Sequence, residues 1–184
     1  MTRTALILID WQQGFDDLDY WGNRNNPDAE VNGERLLKHW RAIGQPVFHV
    51  KHNSTEPQSR LHPDHPGNAF KPALAPIEGE VVYGKNVNSG FIGTSLEADL
   101  RAQGIARLVL CGITTDHCVN TTTRMAGNLG FDATIAADAC ATFDRNLPDG
   151  RVFAAELVHD VALASLNGEF ATVKTVDQII GSAS

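Results

Sequence analysis

The chain has little sulfur, no long apolar run and no block of like charge, and each absence narrows what it can be. Three cysteines in 184 residues, none in a CxxC pair, make neither a disulfide framework nor a cysteine zinc site. No stretch approaches the ~18 consecutive apolar residues that span a bilayer. The N-terminal MTRTALILIDWQQ has too short an apolar part for a signal peptide and runs into an aspartate instead of small residues. A cytoplasmic protein without a membrane partner is expected. The formal charge of −7 is spread along the chain, which argues against an electrostatic grip on nucleic acid and favours small neutral or positive ligands. A GxGxxG turn and a GxxxxGK[ST] loop are both missing, so no glycine-rich phosphate cradle is expected. There is no internal repeat and no low-complexity tract.

What remains is a chain of ordinary domain size with regular alternation. At this length residues 1–184 are read as one domain. Residues 4–9 (TALILI) form a continuous apolar run of the kind buried on both faces of a parallel sheet. Similar runs recur at Pro46–Val50, Val81–Tyr83, Ala106–Cys111, Ala133–Ala137 and Ala171–Val173. Helical stretches lie between them. Thr94–Gln103 has capping-box spacing between Thr94 and Glu97 and a stop at Gly104. A second helix is expected from about Cys118 to Leu129, capped by Asp116 and ended by Gly130, and a third from an Asp149 cap through about Leu166. This pattern predicts a three-layer, doubly wound Rossmann-like α/β domain with a six-stranded, mostly parallel sheet. The segment 52–79, rich in Pro, His, Asn and Ser, breaks the alternation and reads as a long lid or interface loop.

In such sheets ligands sit beyond the carboxyl ends of the strands, so the residues just after strands are the candidates. Asp10 follows the first strand, Lys85 the third and Cys118 the fourth. Taken singly, Asp10 reads first as a turn residue or a helix cap and Lys85 as a solvated surface residue. Cys111 and Cys140 sit in apolar runs and read as small core residues. Cys118 differs, because a thiol at a helix start is expected to have a lowered pKa and a larger thiolate fraction. A cysteine nucleophile needs a proton acceptor, a positive charge and donors for the oxyanion. Asp10, Lys85 and the backbone amides of Thr114 and Cys118 can supply these.

Asp10 in its apolar-strand-then-DxQxxF setting, Lys85 followed by SGF, and GITTDHCV together resemble the isochorismatase-like cysteine hydrolases, over Ala5 to about Phe143. The resemblance implies an Asp10–Lys85–Cys118 triad, with the aspartate shuttling the thiol proton to the leaving amine. It implies a cis bond between Ile113 and Thr114, which turns the Thr114 amide toward the oxyanion beside that of Cys118. It places Gln12, Phe15 and His117 near the substrate, although His117 reads equally as a surface residue of its helix. Trp11, Tyr20, Trp21 and Phe91 could line the pocket but read first as core. Nicotinamidases of this family hold a metal through an Asp-x-His after the second strand. Here Lys51 and Asn53 fall at those two positions, and His49, His52, His62 and His65 match no compact ligand signature, so no metal and no cofactor are expected. Relatives suggest a homo-oligomer, dimer or tetramer.

Family members that cleave the vinyl ether of isochorismate do not require the cysteine. Its presence therefore points to covalent cleavage of a C–N bond in a small amide, carbamoyl or ureido compound. Two other readings stay open: ether or ester hydrolysis with Cys118 a bystander, and a non-catalytic small-ligand-binding domain.

Overall fold

A computed structural model describes residues 3–182. The strands are β1 (Thr4–Ile9), β2 (Val47–His52), β3 (Val81–Lys85), β4 (Arg107–Ile113), β5 (Asp132–Ala141), the short β6 (Arg145–Asn146) and β7 (Val152–Phe153), and β8 (Thr172–Lys174). The α-helices are α1 (Leu18–Trp21), α2 (Ala29–Ala42), α3 (Leu96–Ala102), α4 (Asn120–Asn128), α5 (Ala155–Leu166) and α6 (Val176–Ser182). None of the described helices is long and apolar enough to cross a membrane.

Six strands pair in the order β3-β2-β1-β4-β5-β8, and every pairing is parallel. The apolar run of β1 is explained by its central place, since Ala5, Leu6, Ile7, Leu8 and Ile9 are all buried. The chain steps from β1 outward to β2 and β3, then crosses back to β4 and continues the other way to β5 and β8. Right-handed crossovers therefore put α2 on one face and α3, α4 and α5 on the other; α6 returns to pack beside α2. The direction of winding reverses between β1 and β4, and the crevice at their carboxyl ends is where such sheets bind ligands.

The helix α2 buries Ala29, Gly33, Leu36, Leu37 and Trp40, one stripe of a helical surface. Gly33 lets it lie close to the sheet, because a Cβ there would stand 3.0 Å from the Trp11 ring. Each of the three expected helices starts differently from the sequence reading. Thr94 does not form a capping box: its hydroxyl donates to the Gly90 carbonyl, and α3 begins only after Ser95. Asp116 does not cap, because it lies inside a single π turn, Thr115–Val119, that precedes α4. Asp149 sits in the β6–β7 turn and accepts from the Arg151 amide, while Asp144 receives the first amide of α5, that of Ala155. Asp116 and Asp149 are each drawn to an arginine, Arg145 and Arg151.

The strand β5 runs to Ala141, past the expected end at Ala137, because it carries a bulge. Leu110 pairs with Ile135 but Gly112 pairs with Cys140. The extra residues include Asp138, whose carbonyl accepts from Asn26 and Asn32 and whose carboxylate accepts from the Val176 amide. The β6–β7 hairpin follows that bulge, and nothing in its short strands marked it in the sequence.

The segment 52–79 is folded onto the rest of the chain. It contains two short 3-10 turns, Pro66–Asn68 and Pro72–Leu74. Lys71 pairs with Asp16 and Glu30, and Arg60 with Asp17. These ties lay the segment over the Gln12–Phe15 stretch that follows β1.

Gly112 has φ 150°, and a Cβ there would lie 2.0 Å from the Ile9 carbonyl oxygen on the neighbouring strand. Gly112→Ala is expected to lower stability by about 3 kcal/mol or more, since backbone must move in the sheet centre. Urea denaturation would measure this, and an unchanged midpoint would contradict the close approach.

Candidate active site

Three strand ends converge at the switch point. After β1, Asp10 takes a positive φ of 54°, a region that aspartate enters more readily than most residues. Its amide donates to the Val50 carbonyl at 2.9 Å, and the Gln12 amide donates back to the Asp10 carbonyl at 2.8 Å. The backbone is thus turned sharply while its carboxylate stays in the crevice. Lys85 closes β3. After β4 comes a cis peptide bond between Ile113 and Thr114, and then the π turn that carries Cys118.

The Lys85 ammonium is the centre of the cluster. It donates to Asp10 Oδ2 at 2.7 Å, to His52 Nδ1 at 3.0 Å and to Cys118 Sγ at 3.3 Å. A lysine has three N–H donors, so each has one acceptor. The side chains of Asp10 and Lys85 are wholly buried, and Cys118 is 8% exposed. The other oxygen of the aspartate, Oδ1, is buried without a hydrogen-bond partner, and the carboxylate lies within 4.8 Å of the cysteine sulfur.

The thiol reverses the expectation drawn from its helix position. Burial, followed by the charge of Asp10, pushes the Cys118 thiol well above its ordinary range, and Lys85 only partly offsets them. The resting cysteine is therefore protonated. A helix-end dipole is weak beside the cost of placing an ion in a nearly dry site. Cys111 and Cys140 are fully buried, and burial pushes their thiols up as well.

The remaining candidates are placed unevenly. Gln12 is fully buried and engaged with backbone: its amide nitrogen donates to the carbonyls of His52 and Asn68, and its oxygen accepts from the His52 amide. It clamps β1 to β2 and to the long segment. Phe15 is buried against Trp21 and Phe143. His117 is exposed beside Asp116, as a surface residue of its turn, while the exposed Asn88 has its Oδ1 3.9 Å from Cys118 Sγ. Thr114 is buried, and its hydroxyl accepts from Arg145 at 3.4 Å. Arg145 also holds Asp116: burial opposes ionisation of that carboxyl, but hydrogen bonds from Arg145 and Thr142 outweigh it and keep its pKa low. Trp11 belongs to the core and Phe91 stacks on Phe131. Tyr20 departs from the core reading, being 45% exposed with the Arg60 guanidinium over its ring.

Among the described residues the histidines do not gather into one cluster of ligands. His49 binds Glu80, Lys51 lies over the Phe70 ring, and Asn53 accepts from Asn68, so the two positions that resemble a nicotinamidase ligand pair are committed elsewhere. Ligand atoms of Asp10, His52 and Cys118 do lie within 4.8 Å of one another, but the Lys85 ammonium contacts all three. His52 is the site residue that sequence reasoning weighed only as a metal ligand. Its position at the end of β2, next to β1, was the available signal.

The fold and this cluster define a doubly wound α/β domain with a buried aspartate, lysine and cysteine at its switch point. The chain belongs to the isochorismatase family: the family's Isochorismatase domain matches residues 4–178. It is 45% identical over 178 residues to the isochorismatase family protein YrdC of Bacillus subtilis, covering 97% of this chain and 95% of that one. A crystal structure of an isochorismatase-family protein from Chromobacterium violaceum superposes with a TM-score of 0.94 at 47% identity, covering 98% and 93% of the two chains. The cysteine hydrolase of Pseudomonas syringae superposes at 0.87 with 27% identity, covering 99% and 94%. More distantly, streptothricin hydrolase of Streptomyces noursei is 33% identical over 143 residues, 76% of this chain and 50% of that one. Ureidoacrylate amidohydrolase RutB of Methylobacterium radiotolerans is 34% identical over 108 residues, 59% and 38% of the two. The protein is thus an isochorismatase-family hydrolase.

Because Gln12 satisfies three buried backbone groups, Gln12→Ala is expected to cost about 2–3 kcal/mol of stability. Chemical denaturation is the check. Full stability together with a raised KM would instead make Gln12 a substrate ligand.

Proposed function

We propose that the protein is a cysteine-dependent hydrolase that cleaves a C–N bond of a small amide, carbamoyl or ureido compound. The observation that carries this reading is the buried Lys85 ammonium, bound at once to the Asp10 carboxylate and the Cys118 sulfur. Sulfur, base and cation are already in contact, which is the arrangement a nucleophile with a high resting pKa requires.

In this reading Asp10 Oδ1 takes the thiol proton as Cys118 Sγ adds to the substrate carbonyl carbon. Proton loss and bond formation are coupled, so no free thiolate need accumulate. Lys85 balances the negative charge that passes from sulfur to carboxylate and substrate. The oxyanion is received by the backbone amides of Thr114 and Cys118. When the tetrahedral species collapses, the C–N bond breaks and Asp10 returns the proton to the leaving nitrogen. Water, deprotonated by Asp10, then adds to the thioester, and the thiol regains its proton as the acid departs. The slight exposure of Cys118, beside Asn88, favours a substrate with a small, flat reacting end. The names of two relatives, a streptothricin hydrolase and a ureidoacrylate amidohydrolase, are in keeping with C–N chemistry.

One observation favours a second reading. A cysteine whose pKa is pushed far up by burial suits a bystander in ether or ester hydrolysis, with Asp10 as the acid or base. The two readings part at Cys118→Ala. On a panel of primary amides and ureido compounds, covalent catalysis predicts ammonia release by the wild type and a loss of at least about 10³-fold in the variant. Intact mass should show a thioester adduct at Cys118 with slow substrates. Undiminished turnover by Cys118→Ala would remove covalent catalysis in favour of the second reading.

A further inference from the structure

We infer that His52 is a positioning residue of the reaction: its neutral Nδ1 holds the Lys85 ammonium in the one rotation that aims an N–H at Cys118. The inference rests on the triad reading above. The last residue of β2, His52 lies beside Lys85 in the parallel pairing of β2 with β3. Its backbone is fixed at both ends of the peptide, since Gln12 binds its amide and its carbonyl. The ring therefore has little freedom to leave the site.

The chemistry follows from counting donors. A tetrahedral ammonium places its three N–H bonds at fixed angles, and here they end on Asp10 Oδ2, His52 Nδ1 and Cys118 Sγ. Two of these acceptors define the rotation, and the third N–H must then point at the sulfur. Without His52 a buried N–H is left unpaired and the ammonium can turn about its bond to Asp10. The charged groups facing the ring are Lys85 from β3, Asp10 from the end of β1 and, once ionised, Cys118 from the π turn. A ring that receives a hydrogen bond at Nδ1 carries its proton on Nε2, and the Val87 backbone is its hydrogen-bond partner. Burial, then Lys85, lowers the His52 pKa from 6.5 despite Asp10 and Val87, so the ring is neutral at pH 7. Protonation would abolish the acceptor and place two cations 3.0 Å apart. Reactivity of Cys118 should therefore fall as pH drops through the His52 pKa, below 6.5.

The probe is iodoacetamide, with the rate of single alkylation at Cys118 followed by intact mass and peptide mapping across pH 4.5–8.5. His52→Asn places an amide oxygen near the Nδ1 position and cannot titrate, whereas His52→Leu removes the acceptor. At pH 7.5 His52→Leu should react about tenfold more slowly than the wild type, and His52→Asn should recover most of that loss. In His52→Asn the acid limb of the profile should move to lower pH. An acid limb in His52→Asn that coincides with the wild type overturns the inference, and this arm stands even if His52→Leu does not fold. Lys85→Met serves as the reference for the triad. If Lys85→Met slows alkylation and the two His52 variants do not, the role of His52 alone is refuted. If Lys85→Met reacts at the wild-type rate, the triad reading fails first, and the His52 inference with it.

Discussion

A lysine ammonium with no exposed surface must find all of its compensation inside the protein, and in this chain the rest of the site is arranged around that need. Removing a charge from water costs several kcal/mol unless acceptors of good geometry replace the lost solvent. Asp10, His52 and Cys118 are those acceptors, one per N–H. Each comes from a different strand end, so the ammonium also ties β1, β2, β3 and the turn after β4 into one rigid corner. The same three hydrogen bonds that hold the corner together also bring a cation to the sulfur.

Topology explains why those groups meet. The sheet reverses its winding between β1 and β4, which leaves an open crevice at their carboxyl ends with no crossover helix above it. Asp10 and the Cys118 turn leave the two strands that border the crevice, and β2 and β3 bring His52 and Lys85 from the side. The long segment after β2 packs over the Gln12–Phe15 stretch through Arg60, Asn68 and Lys71. It covers the polar backbone that the sharp turn at Asp10 would otherwise leave without partners. The bulge in β5 and the hairpin after it bring Arg145 to Asp116 and Thr114, which secures the π turn from the opposite side.

Electrostatics in the site run against the simple reading of a helix start. The partial charge of a few backbone amides cannot outweigh the dehydration of a thiolate beside a carboxylate, so the thiol rests protonated. In the proposed reaction the partnerless Asp10 oxygen is the acceptor for the thiol proton and the ammonium is the counterion of the charge that appears on sulfur.

Much of this was legible from the chain. Apolar runs such as TALILI marked all six strands of the main sheet: the central strands are covered on both faces and must be apolar throughout, and the half-exposed edge strands carry shorter runs. The strand-end rule put Asp10, Lys85 and Cys118 among the candidates, and the family resemblance joined them; the fold brings the three side chains together. The sequence could not tell which partner each candidate cap would choose: in the folded chain Arg145 holds Asp116, Arg151 holds Asp149, and the Thr94 hydroxyl donates to the Gly90 carbonyl. Nor could it reveal that Gln12 faces backbone, or that His52 faces an ammonium. Periodicity and strand order are short-range properties, written in the spacing of apolar residues. Burial and partner choice depend on groups brought together from far along the chain, and only the tertiary structure decided them, including whether the Cys118 thiol keeps its proton.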